Sequence, residues 1–268
     1  MAALRKLLLN LGPRALGVLG PMGYARLCVV MLRSLPDVAR ERDLKSVDRR
    51  MGRRVVSFKF MGRRVRIDCP AIDAIVKDGT YTFGLVRELG VRNCYLRNGV
   101  DRAIVDANWV VDLGANRGVF SAIAAGCGAK NILAVEGLPE LKRAIETSMR
   151  AMRFAGCRVE SAFVGALGDG TPPPGPTRSL AGLFDAHGIE RVDVLKMDIE
   201  GGEYGLFKEP EWLDRVGALC MEVHPEHGRV DDVLERLTAA GFAWQCGDHM
   251  FRATPDHQQA EFIWAVRR

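Results

Sequence analysis

Hydrophobic positions follow three different periods along the chain. Over residues 1–50, Leu4, Leu7, Leu8 and Leu11 recur at the spacing of one helix face, and Pro13, Pro21 and Pro36 are expected to interrupt the helix. Next, Val56, Phe58 and Phe60 alternate with polar residues, Met61-Gly62 turns the chain, and Val65, Ile67 and Cys69 alternate again, which predicts a hairpin. The stretch "YTFGLVRELG" predicts a short helix ended by Gly90. From Trp109 onward, short apolar runs alternate with helical patterns. Strands are expected at 109–113, 131–136, 158–163, 192–197, 218–224, 242–245 and 262–266. Helices are expected at 119–125, 139–155, 180–187, 204–209 and 230–240. The stretch "GDGTPPPGPT" (168–177) reads as a surface loop, because its prolines cannot feed a sheet.

This alternation predicts an α/β fold, a doubly wound and mostly parallel sheet preceded by an N-terminal helical segment and a β-hairpin. The division that follows is 1–50 basic helical segment, 51–100 hairpin and helix lead-in, and 101–268 ligand-binding domain. Doubly wound sheets bind ligands beyond the carboxyl ends of their strands, where strand order reverses. The residues placed there are Asp112, Glu136, the turn at 165–169, Asp198, Glu222 and His224.

Composition adds a core and a charge asymmetry. Apolar residues make up 48% and charged residues 26%, enough for a folded domain with a sizeable interior. The net charge of +5 hides 20 Lys+Arg against 8 Asp+Glu in residues 1–100, and 18 against 25 in the remainder. Seven dispersed cysteines, with no C-x-x-C pair, fit reduced thiols and a cytoplasmic location better than a disulfide framework or a structural zinc site. The longest apolar run near the start, Leu27 to Leu32, is far shorter than the ~20 residues of a membrane span. Pro13, Arg14, Gly17 and Gly20 interrupt the opening stretch, so no signal peptide is expected.

The candidate chemistry begins at "DLGANRG" (112–118). The spacing from Gly114 to Gly118 departs from G-x-G-x-x-G, and Asp112 stands two residues before the first glycine. A carboxylate there repels a pyrophosphate and suits a cationic ligand. Glu136, 22 residues after Gly114, is placed to accept bonds from ribose hydroxyls. S-adenosylmethionine carries both an adenosine and a cationic methionine end. Asp112 serving only as a helix cap is the alternative. In "VDVLKMDIEGGEYGLF", Lys196 interrupts an apolar strand and needs a partner, with Asp198 on the same side. In "CMEVHPEH", Glu222 and His224 share a strand face, so Lys196, Asp198, Glu222 and His224 are expected to converge. A salt-bridge network serving stability alone is the competing reading.

In order, "VVDLGANRGVFSAIAA", "VEG", "ALGDG", "VLKMDIEGGEYGLF" and "MEVHP" resemble the FkbM family of S-adenosylmethionine-dependent methyltransferases, over roughly residues 80–245. The resemblance implies a class I methyltransferase fold, a seven-stranded sheet with one antiparallel strand, and O-methylation of a hydroxyl on a sugar, glycolipid, polysaccharide or polyketide unit. It implies that Asp112, Gly114, Ala115, Asn116 and Gly118 line the methionine end. Glu136 would hold the ribose, Ala166 and Leu167 would flank the adenine, and Asp198 would sit where cofactor meets acceptor. Many members carry proline after the ribose acid; Gly137 stands here and is expected to loosen the turn slightly.

A hydroxyl becomes a competent nucleophile as its proton is removed. His224 is the expected base because its reference pKa lies near neutrality. Asp198 could orient the acceptor, act as base itself, or share magnesium with Glu222. Two carboxylates are a thin ligand set, so metal-independent chemistry is preferred and magnesium is the alternative. The G-x-x-x-G spacing disfavours a nicotinamide oxidoreductase. A nucleic-acid methyltransferase is disfavoured because "KMDIEG" stands where amino-methylating enzymes carry Asp/Asn-Pro-Pro-aromatic. A non-catalytic scaffold that binds the cofactor is the remaining alternative. The expected partner is thus a small-molecule, sugar or lipid-linked hydroxyl acceptor rather than nucleic acid. In residues 1–40, Arg5, Lys6, Arg14, Arg26, Arg33 and Arg40 face only Asp37, which suggests peripheral contact with an anionic membrane. Packing of the leucines on the domain, or on a second subunit of a homo-oligomer, is the alternative.

Overall fold

Strands form where alternation and apolar runs predict them. The structure, a computed structural model, describes residues 10–165 and 173–268, so Leu4, Arg5, Lys6, Leu7 and Leu8 lie outside the described residues. The strands are β1 (Val56–Phe60), β2 (Arg63–Ile67), β3 (Trp109–Leu113), β4 (Asn131–Glu136), β5 (Cys157–Ser161), β6 (Phe163–Val164), β7 (Thr177–Arg178), β8 (Val192–Met197), β9 (Val216–Glu222), β10 (Phe242–Gly247) and β11 (Phe262–Arg267). The chain gathers into two units. One comprises residues up to Asn93 with Asn116–Cys127 and Arg143–Ala155; the other comprises Cys94–Ala115, Gly128–Lys142 and Gly156–Arg268.

The second unit holds a seven-stranded sheet of order β10-β11-β9-β8-β3-β4-β5. The pairs β3–β4, β4–β5, β3–β8 and β8–β9 are parallel, and β11 runs antiparallel to both β9 and β10. This is the class I methyltransferase arrangement, and strand order reverses between β3 and β8. Alternation sorts the side chains of the central strands. Val111, Leu113, Leu133, Val135, Leu195 and Met197 enter one apolar core with Phe184, Trp212, Val233 and Leu237. Asp112 and Lys196 therefore project to the other face, where they are register partners. The proline loop departs from a plain surface loop at its far end, because Thr177–Arg178 pairs with Phe163–Val164 in parallel.

In the first unit the prolines act as helix starters. One helical stretch runs Pro13–Glu41, broken at Gly20 (φ 69°, ψ 171°). Pro13 and Pro21 each follow a glycine and begin a helical segment, where a missing N–H costs nothing. Pro36 lies inside the helix on an exposed position. Although its longest unbroken apolar run is Leu27 to Leu32, the helix as a whole is long and apolar enough, by length and composition alone, to cross a membrane. Its inner face is already taken. Leu27, Met31, Ser34 and Val38 are buried, Arg26 donates to the carbonyls of Arg50 and Met51, and Arg50 donates to Arg33 O, Ser34 Oγ and Asp37. The expected stop at Gly90 is also corrected, since Thr82–Leu85 continues as a π-helical segment over Val86–Arg92. A side chain at Gly90 would meet the Phe58 ring at 3.1 Å, so packing explains that glycine.

Arg87 of this segment grips Asp48 with two parallel bonds, Nε to Oδ1 at 3.1 Å and Nη2 to Oδ2 at 3.0 Å. Asp48 is buried, and burial pushes its pKa up although Arg87 opposes that. Removing one partner of such a pair strands the other charge. Arg87→Ala is expected to cost about 3–5 kcal/mol of unfolding free energy, read from the urea midpoint, with most of it recovered by Asp48→Leu/Arg87→Met. A loss below about 1 kcal/mol, the range of exposed pairs, would show that water screens the pair.

Candidate active site

The turn leaving β3 is closed by a backbone contact. Gly114 has φ 69°, and a Cβ built there would lie 1.7 Å from the Asp198 carbonyl oxygen. Only glycine lets the ends of β3 and β8 approach this closely. The amide of Asp198 donates to Leu113 O at 3.2 Å, and the amides of Gly114 and Ala115 both donate to Val135 O, at 3.0 and 3.1 Å. Asn116 (φ 49°) and Gly118 (φ 71°) continue the left-handed turn. Gly118 has its own packing reason within the first unit, because a Cβ would sit 3.0 Å from Ile145 Cα.

Beneath this turn lies Lys196, with 3% exposure. Its Nζ donates to Gly114 O at 2.7 Å and Leu113 O at 3.1 Å, and stands 3.5 Å from Asp112 Oδ1 and 3.6 Å from Asp198 Oδ2. Burial alone would lower the pKa of this ammonium, but the Asp198 and Asp112 carboxylates outweigh it and hold the charge. The buried lysine thus has the carboxylate partners its strand context demanded. Asp112 differs from expectation. With no exposed surface, it faces a cation of the chain itself rather than standing open to a ligand.

The sequence reading missed Tyr95. Its buried hydroxyl lies 2.9 Å from Asp198 Oδ2 and 3.2 Å from Glu222 Oε2, and its ring centroid is 5.4 Å from Lys196 Nζ. Burial first, and then Asp198, raise the phenol well above its ordinary pKa, so it keeps its proton and donates it. One proton therefore serves two carboxylates. "NCYLRNG" offers no periodicity to flag this residue; the available hint is that a buried tyrosine needs a partner for its hydroxyl. Asp198 Oδ1 makes no bond among the described residues, and the side chain is 28% exposed.

His224 does not join this cluster. Strand β9 ends at Glu222, and Pro225 biases the chain into a short 3₁₀ turn, so Glu222 and His224 do not share a strand face. His224 Nδ1 stands 3.5 Å from Glu203 Oε1, and Nε2 stands 3.6 Å from Glu200 Oε2. Glu203 is fully buried, and its Oε1 accepts the Ile199 amide at 2.9 Å. The adjoining Glu203 carboxylate chiefly, then Glu200 and Glu222, overcome the cost of burial and raise the His224 pKa to about 9. This raised pKa favours the imidazolium at neutral pH and so argues against the expected role of His224 as the base.

Glu136 ends β4, and its Oε1 accepts the Leu138 amide at 3.0 Å. Gly137 does more than loosen this turn. A Cβ there would fall 2.5 Å from the Phe163 ring, so the glycine makes room for that ring. Ala166 and Leu167, expected beside the adenine, lie outside the described residues.

Residues 160–244 match the family model described as the methyltransferase FkbM domain. A comparison with curated proteins finds no match. Among solved structures, the chain is similar to the ribosomal protein L11 methylase of Lactobacillus delbrueckii subsp. bulgaricus, with 16% identity, TM-score 0.44, and coverage of 63% of this chain and 75% of that one. An rRNA methylase from Streptococcus thermophilus gives 15% identity, TM-score 0.43, and coverage of 62% and 90%. Precorrin-6y C5,15-methyltransferase of Geobacter metallireducens gives 12%, 0.40, and coverage of 66% and 87%. The FkbM domain match covers "KMDIEGGE" and its flanks and, with the strand order on which that motif sits, supports an S-adenosylmethionine-dependent methyltransferase.

Proposed function

We propose that the chain transfers the methyl group to a hydroxyl of a small-molecule, sugar or lipid-linked acceptor, and that Asp198 takes the hydroxyl proton. The observation that carries this reading is the Asp198 carboxylate. It stands just past β8 at the reversal of strand order, with Oδ2 held by Tyr95 and Lys196 and Oδ1 without a bond among the described residues. A carboxylate fixed on one oxygen and open on the other can align a hydroxyl and accept its proton as the new carbon–oxygen bond forms.

The residues present fit S-adenosylmethionine, which supplies a methyl group on a positively charged sulfur. The carboxylate of Glu136, steadied by the Leu138 amide, would accept from the ribose hydroxyls. Gly114, half-buried in the turn after β3, keeps a Cβ out of the space beside the end of β8. Asp112 acts as a positioning residue through Lys196, which ties the turn to the end of β8. Glu222 shares the Tyr95 proton with Asp198 and so sets the orientation of the catalytic carboxylate. After Asp198 the chain reads Ile199-Glu200-Gly201, a left-handed turn (φ 54° and 93° at the last two) without the paired prolines of amino-methylating enzymes. The hydroxyl reading is favoured on that account.

Glu136→Ala is expected to weaken S-adenosylmethionine binding about tenfold to a hundredfold, since a charged hydrogen-bond acceptor contributes roughly 1.5–3 kcal/mol. Calorimetry on the folded variant checks this, and unchanged affinity removes Glu136 from the pocket. For the chemistry, Asp198→Asn is expected to lower turnover by about 10²-fold or more while changing cofactor affinity little. Tyr95→Phe should give a smaller loss. Labelled cofactor incubated with small-molecule, lipid and RNA fractions reads both variants, and label found only in RNA would overturn the hydroxyl acceptor. Full activity in excess EDTA supports the metal-free route; loss restored by magnesium would replace it with a metal shared by Asp198 and Glu222.

His224 supplies a pH signature. Its pKa is raised on folding from 6.5 to about 9, so its stabilising contribution is complete below the unfolded value and is lost as pH climbs through the folded one. Melting temperature is therefore expected to fall between pH about 6.5 and about 9. His224→Gln should flatten that slope while leaving measurable turnover at neutral pH. An equally steep slope in the variant would place the titration elsewhere.

A further inference from the structure

We infer that the helix Pro13–Glu41 docks the first unit onto an anionic lipid surface, lying in the interface rather than crossing it. Beyond its break at Gly20, the helix leaves Met22, Ala25, Val29, Leu32, Pro36 and Ala39 exposed, at steps of three and four residues. They form one continuous apolar stripe. Met22 is 89% exposed and Leu32 67%, far more than the apolar positions of the inner face.

Three observations choose the occupant. The inner face of the helix packs into its own unit and carries the Arg26 and Arg50 bonds, so lipid cannot surround the helix. That leaves a helix with one apolar side available, which sinks to the boundary of headgroups and acyl chains. Next, exposed Arg33 and Arg40, the latter in surface ion pairs with Asp37 and Glu41 that a phosphate would have to compete with, stand seven residues apart along one flank of the stripe, where long stems can reach headgroups while the stripe enters the acyl layer. Finally, residues 1–100 carry 20 Lys+Arg against 8 Asp+Glu, which complements an anionic surface. The same excess presses like charges together if a second copy covers the stripe. A nucleic acid could meet the arginines, but its phosphates gain nothing from the exposed methionine, valine and leucine.

The test uses the full chain and vesicles of phosphatidylglycerol and phosphatidylcholine in equal parts, with pure phosphatidylcholine as control, sedimented at low and high salt. Binding to the anionic vesicles alone, weakened by salt, is expected. Met22→Glu/Leu32→Glu should weaken it at least tenfold, and Arg33→Glu/Arg40→Glu should weaken it and reduce its salt dependence. All four positions are exposed, and unchanged calorimetric binding of S-adenosylmethionine shows that each variant is folded. The proposal is overturned by vesicle binding that neither variant alters, or by no binding at all. It is also overturned by a dimer in light scattering that Met22→Glu/Leu32→Glu dissolves, or by RNA binding that only the arginine variant removes.

Discussion

A single buried ammonium ties the two halves of the sheet at the point where strand order reverses. Lys196 reaches two carbonyls of the turn after β3 and two carboxylates, Asp112 on β3 and Asp198 just past β8. Removing such a charge from water is costly, and its placement succeeds only because the partners nearly surround it. Much of the local geometry follows from that demand. Gly114 must lack a side chain so that its carbonyl and the Asp198 backbone come close enough. Tyr95 brings its hydroxyl to the same oxygen of Asp198 that Lys196 faces, and links it to Glu222.

The ionisation states follow from the same arrangement. The acids at this end of the sheet outnumber the cations within reach, so Lys196 and His224 keep their protons and the Tyr95 phenol does not give its proton up. The groups that stay charged positive or remain donors are those that hold carboxylates in place. Among the described residues, Asp198 Oδ1 is left with no donor of its own, and the proposed chemistry rests on that oxygen.

How much of this was legible beforehand depended on the kind of signal. The sheet was readable because a short apolar run between helical patterns has few other solutions, while its one antiparallel strand, β11, was expected only from the family resemblance. Lys196 was readable for the opposite reason: a lysine inside "VLKM" violates its surroundings and so announces a partner. Tyr95 carried no such contradiction, since an aromatic residue in an irregular segment is ordinary, and its importance comes from residues more than a hundred positions away. His224 was misread because alternation was extended past Glu222, although Pro225 already argued for the end of the strand. The N-terminal prolines were misread through a positional rule: a proline ends a helix from inside and begins one from the first turn.

The contact between Gly137 and Phe163 has a consequence for how this chain can change. The two residues are not independent choices, because the ring occupies the volume that any side chain at 137 would need. A proline at 137 fits only if position 163 shrinks or its ring swings away from the end of β4. Drift at these two sites is therefore coupled. A single replacement crowds the pocket at one site or hollows it at the other, so the effects of changing both together are not the sum of the two alone.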